Sequence, residues 1–371
     1  MIVGIPKEVK NHEYRVAITP DGVHELISHG HQVLIEKNAG AGSNIFDHEY
    51  EAAGAKLVNS AQEVWNTSEL VLKVKEPIEL EYGRLREDQI LFTYLHLAAS
   101  ASCTEALINS KITAIAYETV ESNDGNLPLL APMSEVAGRL ATQVGAHSLL
   151  KSQAGRGILL SGVPSVHSGK VVVLGGGVAG LSAARIALGM GAQVTVLDNS
   201  INRLREIDLL FEGRIKTIIS NRFQIDLHVK EADLVIGSVL VAGAKAPKLV
   251  SNELVSQMKP GSVLVDIAID QGGCFEDSKP TTHDAPTFRV HNSIFYCVAN
   301  MPGAVPQTST YALTNATLPY VIKLANFGWQ KALAQDSGFA KGLNVHKGKV
   351  TYRAVADEFK LPLADSSALL K

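Results

Sequence analysis

Cysteine is scarce in this sequence. Its 371 residues include only three cysteines, Cys103, Cys274 and Cys297, which stand far apart along the chain. Such spacing excludes a closely spaced redox pair and the ligand pattern of a structural zinc site. We therefore interpret the three residues as buried thiols of a protein that works in a reducing cytoplasm, without a metal.

Long apolar runs and an excess of charge of either sign are also absent. The longest apolar runs, such as LVIGSVLVAGA at 234–244, fall short of the roughly 18 residues that a transmembrane helix needs. The N-terminal MIVGIPKEVK has no cationic segment followed by a long apolar one, so it predicts a first strand and not a signal peptide. The net charge is −3, which gives no reason to expect nucleic acid or an anionic membrane as partner. We expect a cytoplasmic protein.

The chain does contain two successive regions in which β-rich runs alternate with helical segments. The first region holds IVGIP, QVLIEK, LVLKVK, ILFTYLH and TAIAYETV, and the second holds KVVVLG, QVTVLD, KTIIS, DLVIGSVL, SVLVDIAID and FYCVAN. Apolar strands that alternate with helices are typical of parallel sheets covered on both faces. A chain of this length is expected to form two domains. We predict an α/β fold with two Rossmann-like, doubly wound domains.

A glycine-rich loop gives the first indication of a ligand. The strand KVVVLG is followed by GGVAG and an Ala- and Leu-rich helix. In a dinucleotide-binding loop, Gly175 would allow the tight turn, Gly177 the approach of the pyrophosphate, and Gly180 the close packing of helix on strand. The next strand ends in Asp198, 18 positions after Gly180. A carboxylate there accepts hydrogen bonds from ribose hydroxyls and repels a 2′-phosphate, so the pattern predicts NAD and not NADP.

The two predicted domains are not simply consecutive. Residues 129–306 are predicted as the NAD-binding Rossmann domain. Its first helix is SEVAGRLATQVGAHSLLKS, and Ser134 is the predicted N-cap of that helix. From Gln307 the sequence becomes helical again, and we expect this tail to return to the first region. The predicted substrate domain is therefore discontinuous and comprises 1–128 plus 307–371.

Four polar side chains stand at the ends of predicted strands. LVLKVK ends in Lys75, ILFTYLH in His96, SVLVDIAID in Asp270 and IFYCVAN in Asn300. Taken singly, each has a structural explanation as a surface lysine, a half-buried strand end or a turn residue. Ligands of open parallel sheets, however, gather beyond the carboxyl ends of the strands. Together the four residues predict a site in an interdomain active-site cleft, with His96 as a proton-transfer group.

A further candidate lies near the N-terminus. Arg15 follows the first strand within GIPKEVKNHEYRVAITPDGV, and a guanidinium fork suits a carboxylate ligand. Taken alone, an arginine here is better explained by surface exposure.

With these motifs assembled, the chain resembles the alanine dehydrogenase family, which includes the soluble domain of proton-translocating nicotinamide nucleotide transhydrogenase. The resemblance covers essentially the full length. It rests on GIPKE with RVAITPDGV, on APMSEVAGR, on VVVLGGGVAGLSAARIALGMGAQVTVLD and on VANMPGAVP. It implies a reversible, NAD-dependent oxidative deamination of L-alanine to pyruvate and ammonia, catalysed by a homohexamer of two-domain subunits.

The resemblance also implies roles for individual residues. Arg15 and Lys75 would bind the substrate carboxylate. His96 would act as general acid/base, and Asp270 would stabilise the amine or iminium. Beyond the glycine loop and Asp198, the implied cofactor contacts are Ser134, Val178, Ala179, Arg203, Ser220, Val239, Leu240, Ile267, Ala268, Ile269, Asp270, Lys279, Val298, Ala299, Asn300 and Met301.

Three alternatives remain open on the sequence. The first is the nucleotide-binding component of a transhydrogenase, which has no amino acid substrate. The second is a dehydrogenase of a larger amino acid, such as a saccharopine- or lysine-forming enzyme. The third is an NAD sensor without activity. The joint presence of Arg15, Lys75, His96 and Asp270 argues against the first, the long matches at both ends argue against the second, and an activity assay decides on the third.

Overall fold

The structure is a computed structural model that describes residues 1–239 and 246–370. The chain forms two compact units, one comprising Met1–Met133 and Val305–Lys371 and the other Ser134–Ala304. The first unit is therefore discontinuous in sequence. The sequence predicts boundaries at 128/129 and 306/307, and the assignment of substrate to the first unit and cofactor to the second stays a prediction.

Short strands and helices alternate along both units. The strands are β1 (Ile2–Ile5), β2 (Gln32–Glu36), β3 (Lys56–Val58), β4 (Leu70–Leu72), β5 (Ile90–Thr93), β6 (Thr113–Ala116), β7 (Lys170–Leu174), β8 (Gln193–Asp198), β9 (Lys216–Ile219), β10 (Leu234–Gly237), β11 (Val263–Asp266), β12 (Thr287–Val290), β13 (Ser293–Tyr296), β14 (Leu343–His346) and β15 (Lys349–Val350). The helices are α1 (Pro20–Ser28), α2 (Asp47–Ala52), α3 (Ala61–Thr67), α4 (Glu79–Tyr82), α5 (Ala101–Ser110), α6 (Ala131–Ser148), α7 (Val178–Gly189), α8 (Ile201–Phe211), α9 (Arg222–Lys230), α10 (Asn252–Ser256), α11 (Pro306–Ala334), α12 (Ser337–Ala340), α13 (Arg353–Phe359) and α14 (Ser366–Leu369).

The first unit is built on an eight-stranded sheet in the order β15-β14-β6-β5-β4-β1-β2-β3. Strands β1 to β6 are parallel and follow the doubly wound order 3-2-1-4-5-6. Every residue of β4, β5 and β6 is buried, as expected for parallel strands that are covered on both faces. Strands β14 and β15 come from the C-terminal tail and pair antiparallel, so that tail completes the sheet of the first unit.

The second unit is built on a seven-stranded sheet in the order β12-β13-β11-β10-β7-β8-β9. The six strands predicted from the sequence are all present, and they are parallel in the same 3-2-1-4-5-6 order. The sequence does not predict β12, which pairs antiparallel with β13 at the sheet edge. Its residues are all partly or fully exposed, so it lacks the apolar continuity of the other strands.

Helix α6 differs from its prediction. It begins at Ala131, so Ser134 lies inside its first turn and not at the N-cap. Pro132 is the second residue of the helix, where its missing N–H costs nothing because first-turn N–H groups have no acceptor within the helix.

The long C-terminal helix α11 contains one non-helical residue, Gly328, with φ 73° and ψ 161°. None of the helices in the described part of the chain combines the length and apolar character needed to cross a bilayer.

Candidate active site

Three of the predicted site residues follow neighbouring strands of the first unit. Arg15 lies in the segment after β1, Lys75 after β4 and His96 after β5, and these three strands are adjacent in the sheet. The strands are shorter than predicted, so Lys75 and His96 belong to the loops that follow them. The junction of β1 and β4 is the topological switch point, where a crevice opens in sheets of this order. This edge therefore gathers a guanidinium, an ammonium and an imidazole.

Arg15 is buried, which rules out surface exposure as its explanation. Its side chain is 2% exposed. Nε donates to Glu13 Oε1 at 2.7 Å, and Nη2 donates to Glu13 Oε2 at 2.5 Å. Burial alone would lower the pKa of the Arg15 guanidinium, but the adjacent Glu13 carboxylate outweighs that effect and raises it. Glu13, which the sequence analysis did not select, thus orients the guanidinium.

Lys75 is also buried, at 8% exposure. Its ammonium makes no hydrogen bond or salt bridge among the described residues. The next residue, Glu76, forms a salt bridge with Lys10. Burial alone would raise the pKa of the Glu76 carboxyl, but Lys75 and Lys10 together lower it. Because a desolvated ammonium is costly without a bonded anion, Lys75 is a candidate for binding a ligand carboxylate.

His96 has an unusual backbone conformation. Its φ of 47° and ψ of 39° are left-handed, and it precedes the short 3-10 turn Leu97–Ala99. Non-glycine residues seldom adopt this conformation, and such strain clusters at functional sites. The imidazole ring stacks on Tyr94 with centroids 5.8 Å apart. The His96 side chain is 37% exposed, so it is oriented and still accessible, as a proton-transfer group must be.

Glu118 holds the His96 backbone and is absent from the sequence prediction. Its Oε1 accepts the His96 N–H at 2.6 Å and the Leu95 N–H at 3.2 Å. The same oxygen is 3.9 Å from His96 Nδ1. Glu118 lies in the turn Tyr117–Thr119 directly after β6, the next strand in the sheet. The rule that selected Lys75 and His96, a polar residue after a buried strand, applies equally to Glu118.

The glycine-rich loop joins β7 to α7, as predicted. Gly175 has φ 96°, which requires glycine or strain. A Cβ added to Gly180 would collide with the carbonyl oxygen of Gly175. At Gly177, by contrast, no atom of the described residues lies within 4 Å of a Cβ position, and Val178 and Ala179 open the helix. The loop thus combines a tight turn, close helix packing and open space at a helix N-terminus, which are the requirements for a bound pyrophosphate.

Asp198 and Arg203 both bind the peptide groups of Gly176. Asp198, the last residue of β8, accepts the Gly176 N–H through Oδ2 at 2.7 Å and the Ser200 N–H through Oδ1 at 2.8 Å. Arg203 donates from Nε to the Gly176 carbonyl at 2.5 Å and pairs with Glu206 at 2.8 Å. Asp198 therefore stands beside the glycine loop, as a ribose-binding carboxylate must. Arg203 supports the loop, and its direct contact with a cofactor stays a prediction.

Other predicted cofactor residues of the second unit also follow strands or open helices. Ser220 follows β9, and its N–H donates to the Asp198 carbonyl at 2.8 Å. Val239 follows β10 and is half-buried, and Ser134 lies in the first turn of α6. Leu240 lies outside the described residues.

Asp270 does not end a strand, contrary to the prediction. Strand β11 ends at Asp266, and Asp270 lies in the 3-10 turn Ile267–Gln271 with an exposed side chain. The buried residue is Asp266, whose Oδ2 accepts the Cys274 N–H at 2.8 Å and the Ser278 hydroxyl at 2.5 Å. Burial raises the pKa of Asp266 in spite of these bonds. Asp266, which the sequence analysis did not select, anchors the turn that carries Asp270.

The sequence predicts a strand that ends in Asn300, but β13 ends at Tyr296, so the segment 298–301 lies after it. The segment is hydrogen-bonded to Thr281 through the backbone, and its Asn300 has a left-handed φ of 66°.

Lys279 is exposed, and its ammonium lies 4.6 Å from the centroid of a phenylalanine ring. Among the described residues, no group of three or more His, Cys, Asp and Glu side chains is arranged to hold a metal ion.

Comparison with known proteins decides the family. Residues 4–137 match the family described as alanine dehydrogenase/PNT, N-terminal domain, and residues 141–353 match alanine dehydrogenase/PNT, C-terminal domain. The chain belongs to the alanine dehydrogenase/PNT family. An alanine dehydrogenase of Mycolicibacterium smegmatis is 63% identical over 370 residues, which is 100% of each chain.

Solved structures of the family confirm the predicted fold class. An L-alanine dehydrogenase structure has a TM-score of 0.94 and 52% identity, and the match covers 97% of this chain and 99% of that one. A transhydrogenase structure from Sinorhizobium meliloti has a TM-score of 0.82 and 26% identity, covering 95% of this chain and 100% of that one. The resemblance inferred from the sequence motifs and the two-domain α/β architecture are thus both confirmed.

Proposed function

We propose that this protein interconverts L-alanine and pyruvate, by NAD-dependent oxidative deamination in one direction and reductive amination in the other. It is an NAD-dependent oxidoreductase that acts on a CH–NH2 group. The observation that carries the proposal is that two buried cations, Arg15 and Lys75, and the histidine His96 follow three adjacent strands of one sheet. A buried ammonium that is bonded to no carboxylate among the described residues calls for an anion, and the carboxylate of a small amino acid supplies one. The full-length relatives named alanine dehydrogenase support the same substrate.

NAD fits the second unit. The open space at Gly177 and the N-terminus of α7 suit a pyrophosphate, and Asp198 is available to the ribose hydroxyls. Bound NAD supplies the hydride acceptor for the substrate α-carbon. A carboxylate at Asp198 disfavours the extra phosphate of NADP, so we propose NAD as the preferred cofactor.

The substrate carboxylate is held by two cations of different character. Arg15 provides a rigid guanidinium whose orientation Glu13 fixes. Lys75 provides a charge to which no described residue is bonded. The Arg15 guanidinium is paired with Glu13, whereas Lys75 interacts with Glu76 without a bond between them. The α-carbon is thereby fixed relative to the groups that act on it.

His96 moves the proton. As general base, it takes a proton from the water that attacks the iminium carbon of the oxidised substrate. It returns the proton as the carbinolamine collapses to pyruvate and ammonia. Glu118, 3.9 Å from Nδ1, stabilises the imidazolium in between and leaves Nε2 as the nitrogen that exchanges the proton.

Asp270 stabilises positive charge. Its exposed carboxylate is a partner for the cationic amine or iminium that develops as hydride leaves. The turn that carries it is anchored by Asp266. Homohexameric assembly is a further prediction, which light scattering on the purified protein tests.

A second candidate function is that of a transhydrogenase component. The likeness to the Sinorhizobium meliloti transhydrogenase structure favours it. Such a component binds nicotinamide nucleotide but has no use for pyruvate or ammonium. The dependence of NADH oxidation on those two compounds therefore separates the candidates.

The test is a spectrophotometric assay of the purified protein. NADH with pyruvate and ammonium should be oxidised rapidly, and omission of either compound should stop the reaction. NADPH, run in parallel, should be a poor substitute. Lys75→Ala should raise the pyruvate KM at least about tenfold, a loss of about 1.4 kcal/mol, with the NADH KM unchanged. Oxidation that is independent of ammonium would contradict the proposal.

A further inference from the structure

A buried ion triad lies beside Lys75 and has no part in the proposed chemistry. Lys73 is fully buried, and its ammonium is 2.9 Å from Glu8 Oε2 and 3.0 Å from Glu81 Oε1. Both carboxylates are buried as well, and burial raises the pKa of Glu8 in spite of the adjacent Lys73. Buried ion pairs are weak evidence for stability, because apolar replacements often stabilise a fold as well or better. The triad therefore calls for an explanation other than stability.

Glu8 also binds the backbone that leads to Lys75. Its second oxygen, Oε1, accepts the Val74 N–H at 2.6 Å. The hydrogen-bonded register of β1 with β4 ends at Gly4 and Val71, because the two strands part at the topological switch point. Beyond this point the Glu8 carboxylate, and not a backbone carbonyl of β1, takes the N–H. In the gap between β1 and β4, the Glu8 side chain thus replaces the β1 backbone as hydrogen-bond acceptor.

The other side of the same segment is held by β5 and the residue after it. The Tyr94 N–H donates to the Val74 carbonyl at 3.3 Å, and the Thr93 hydroxyl donates to the Lys75 carbonyl at 3.0 Å. The backbone before Lys75 is therefore held from both sides, by β5 and by Glu8. The Lys75 side chain therefore extends from a backbone segment that is held on both sides, next to the crevice at the topological switch point.

We propose that Glu8, kept in place by Lys73, is a positioning residue that holds the Lys75 ammonium where the substrate carboxylate binds. This inference rests on the proposed function, in which Lys75 binds that carboxylate. Lys73 supplies the counter-charge that keeps the Glu8 carboxylate in the gap, and Glu81 forms a second salt bridge with Lys73. The need for an acceptor at the gap explains why Glu8 is buried there, and Lys73 and Glu81 are buried with it.

Two variants of Glu8 separate positioning from stability. Glu8→Leu removes the acceptor for the Val74 N–H and leaves Lys73 and Glu81 as a balanced pair, so the fold should survive. Glu8→Gln keeps an amide oxygen that accepts the same N–H. Both variants remove the same charge. If the triad were only structural, any effect on pyruvate binding would follow the loss of thermal stability and not the presence of the acceptor.

We expect Glu8→Leu to raise the pyruvate KM roughly 10- to 100-fold, as small displacements of a binding group do, while the NADH KM stays within about twofold. Glu8→Gln should retain most of the pyruvate affinity. The matched control is Gln89→Leu, which removes two buried hydrogen bonds to the carbonyls of Trp65 and Ser68 at 2.8 Å, at the amino end of β5. It should lower the Tm and leave the pyruvate KM unchanged. A wild-type pyruvate KM for Glu8→Leu would overturn the inference.

The Lys75→Ala background shows whether Glu8 acts through Lys75. There, Glu8→Leu should change the pyruvate KM by less than about twofold, because the group it positions is gone. An equal rise in both backgrounds would overturn the inference. If Lys75→Ala raises the KM and Glu8→Leu does not, only the positioning role fails. If Lys75→Ala itself has no effect, the proposed substrate role of Lys75 fails, and the inference fails with it.

Discussion

Three glycine-to-alanine substitutions around α7 make the same chemical change and should give three different results. Gly180→Ala places a methyl group against the Gly175 carbonyl oxygen and 2.6 Å from Ser238 Oγ. The first of these neighbours is backbone, so the helix itself must move. Gly177→Ala and Gly189→Ala meet no atom within 4 Å in the part of the chain that the structure describes, but only Gly177 lies where a pyrophosphate would approach.

The magnitudes follow from these surroundings. Overpacking of this kind costs about 1–3 kcal/mol, and a folding unit of this size loses about 2–4 °C in Tm per kcal/mol. Gly180→Ala should therefore lower both the Tm and the NADH affinity. At Gly177, the mild penalty of alanine at an N-cap is offset by the lower entropy of the unfolded chain, worth about 0.4–1 kcal/mol. Gly177→Ala should thus keep the Tm and still lose at least about tenfold in NADH affinity, or about 1.4 kcal/mol.

The assay is NADH titration by fluorescence, with differential scanning calorimetry on the same samples. Gly189→Ala is the control, since it changes the last residue of the same helix and should leave NADH affinity unchanged. Wild-type NADH affinity in Gly177→Ala would refute the dinucleotide-binding interpretation of the loop. A wild-type Tm in Gly180→Ala would refute the packing argument.

The remaining predictions concern other parts of the molecule. His96→Ala should lower turnover by roughly 10²–10⁴, as expected for lost acid/base catalysis, with NADH affinity intact; wild-type turnover would remove His96 from the mechanism. Asp198→Ser should raise the NADPH-to-NADH ratio of kcat/KM by about tenfold or more, equivalent to about 1.4 kcal/mol, because a repelling carboxylate is gone; an unchanged ratio would contradict its role. Burial raises the pKa of Cys103, Cys274 and Cys297 from 9.0 to about 12, so their thiolate fractions at neutral pH fall about a thousandfold. A thiol reagent should therefore titrate them slowly in the native protein, faster as pH rises toward 12, and fully after unfolding; rapid reaction at neutral pH would contradict their burial.

The sequence predicts the fold where strands are continuous and apolar. Strands β4, β5 and β6 are buried throughout, and their composition alone indicates parallel strands. Strand β14 escapes prediction because it carries buried polar residues. Its Asn344 amide donates to the Thr119 hydroxyl at 2.8 Å, and its His346 ring bonds Thr113 at 2.9 Å. Both partners are distant in sequence, so only the folded chain makes these polar residues compatible with a buried strand.

The candidate site, too, is only partly predictable from the sequence. A polar residue after a buried strand predicts Lys75 and His96, because the position alone brings them to the sheet edge. Glu118 and Asp266 are missed because the predicted strands TAIAYETV and SVLVDIAID run past them, whereas the strands end at Ala116 and Asp266. Glu13 is missed because it acts by holding a neighbouring side chain. The partners of these three carboxylates are N–H groups and a guanidinium, whose directions depend on loop conformations that the sequence pattern does not define.

The most direct test of the central claim follows the hydride. The purified protein is given pyruvate, ammonium and NADH that is deuterated at the nicotinamide carbon from which hydride leaves, and the product is analysed by mass spectrometry. The account predicts L-alanine with one deuterium on its α-carbon, formed in step with NADH oxidation. NADH consumed without deuterated alanine would contradict it.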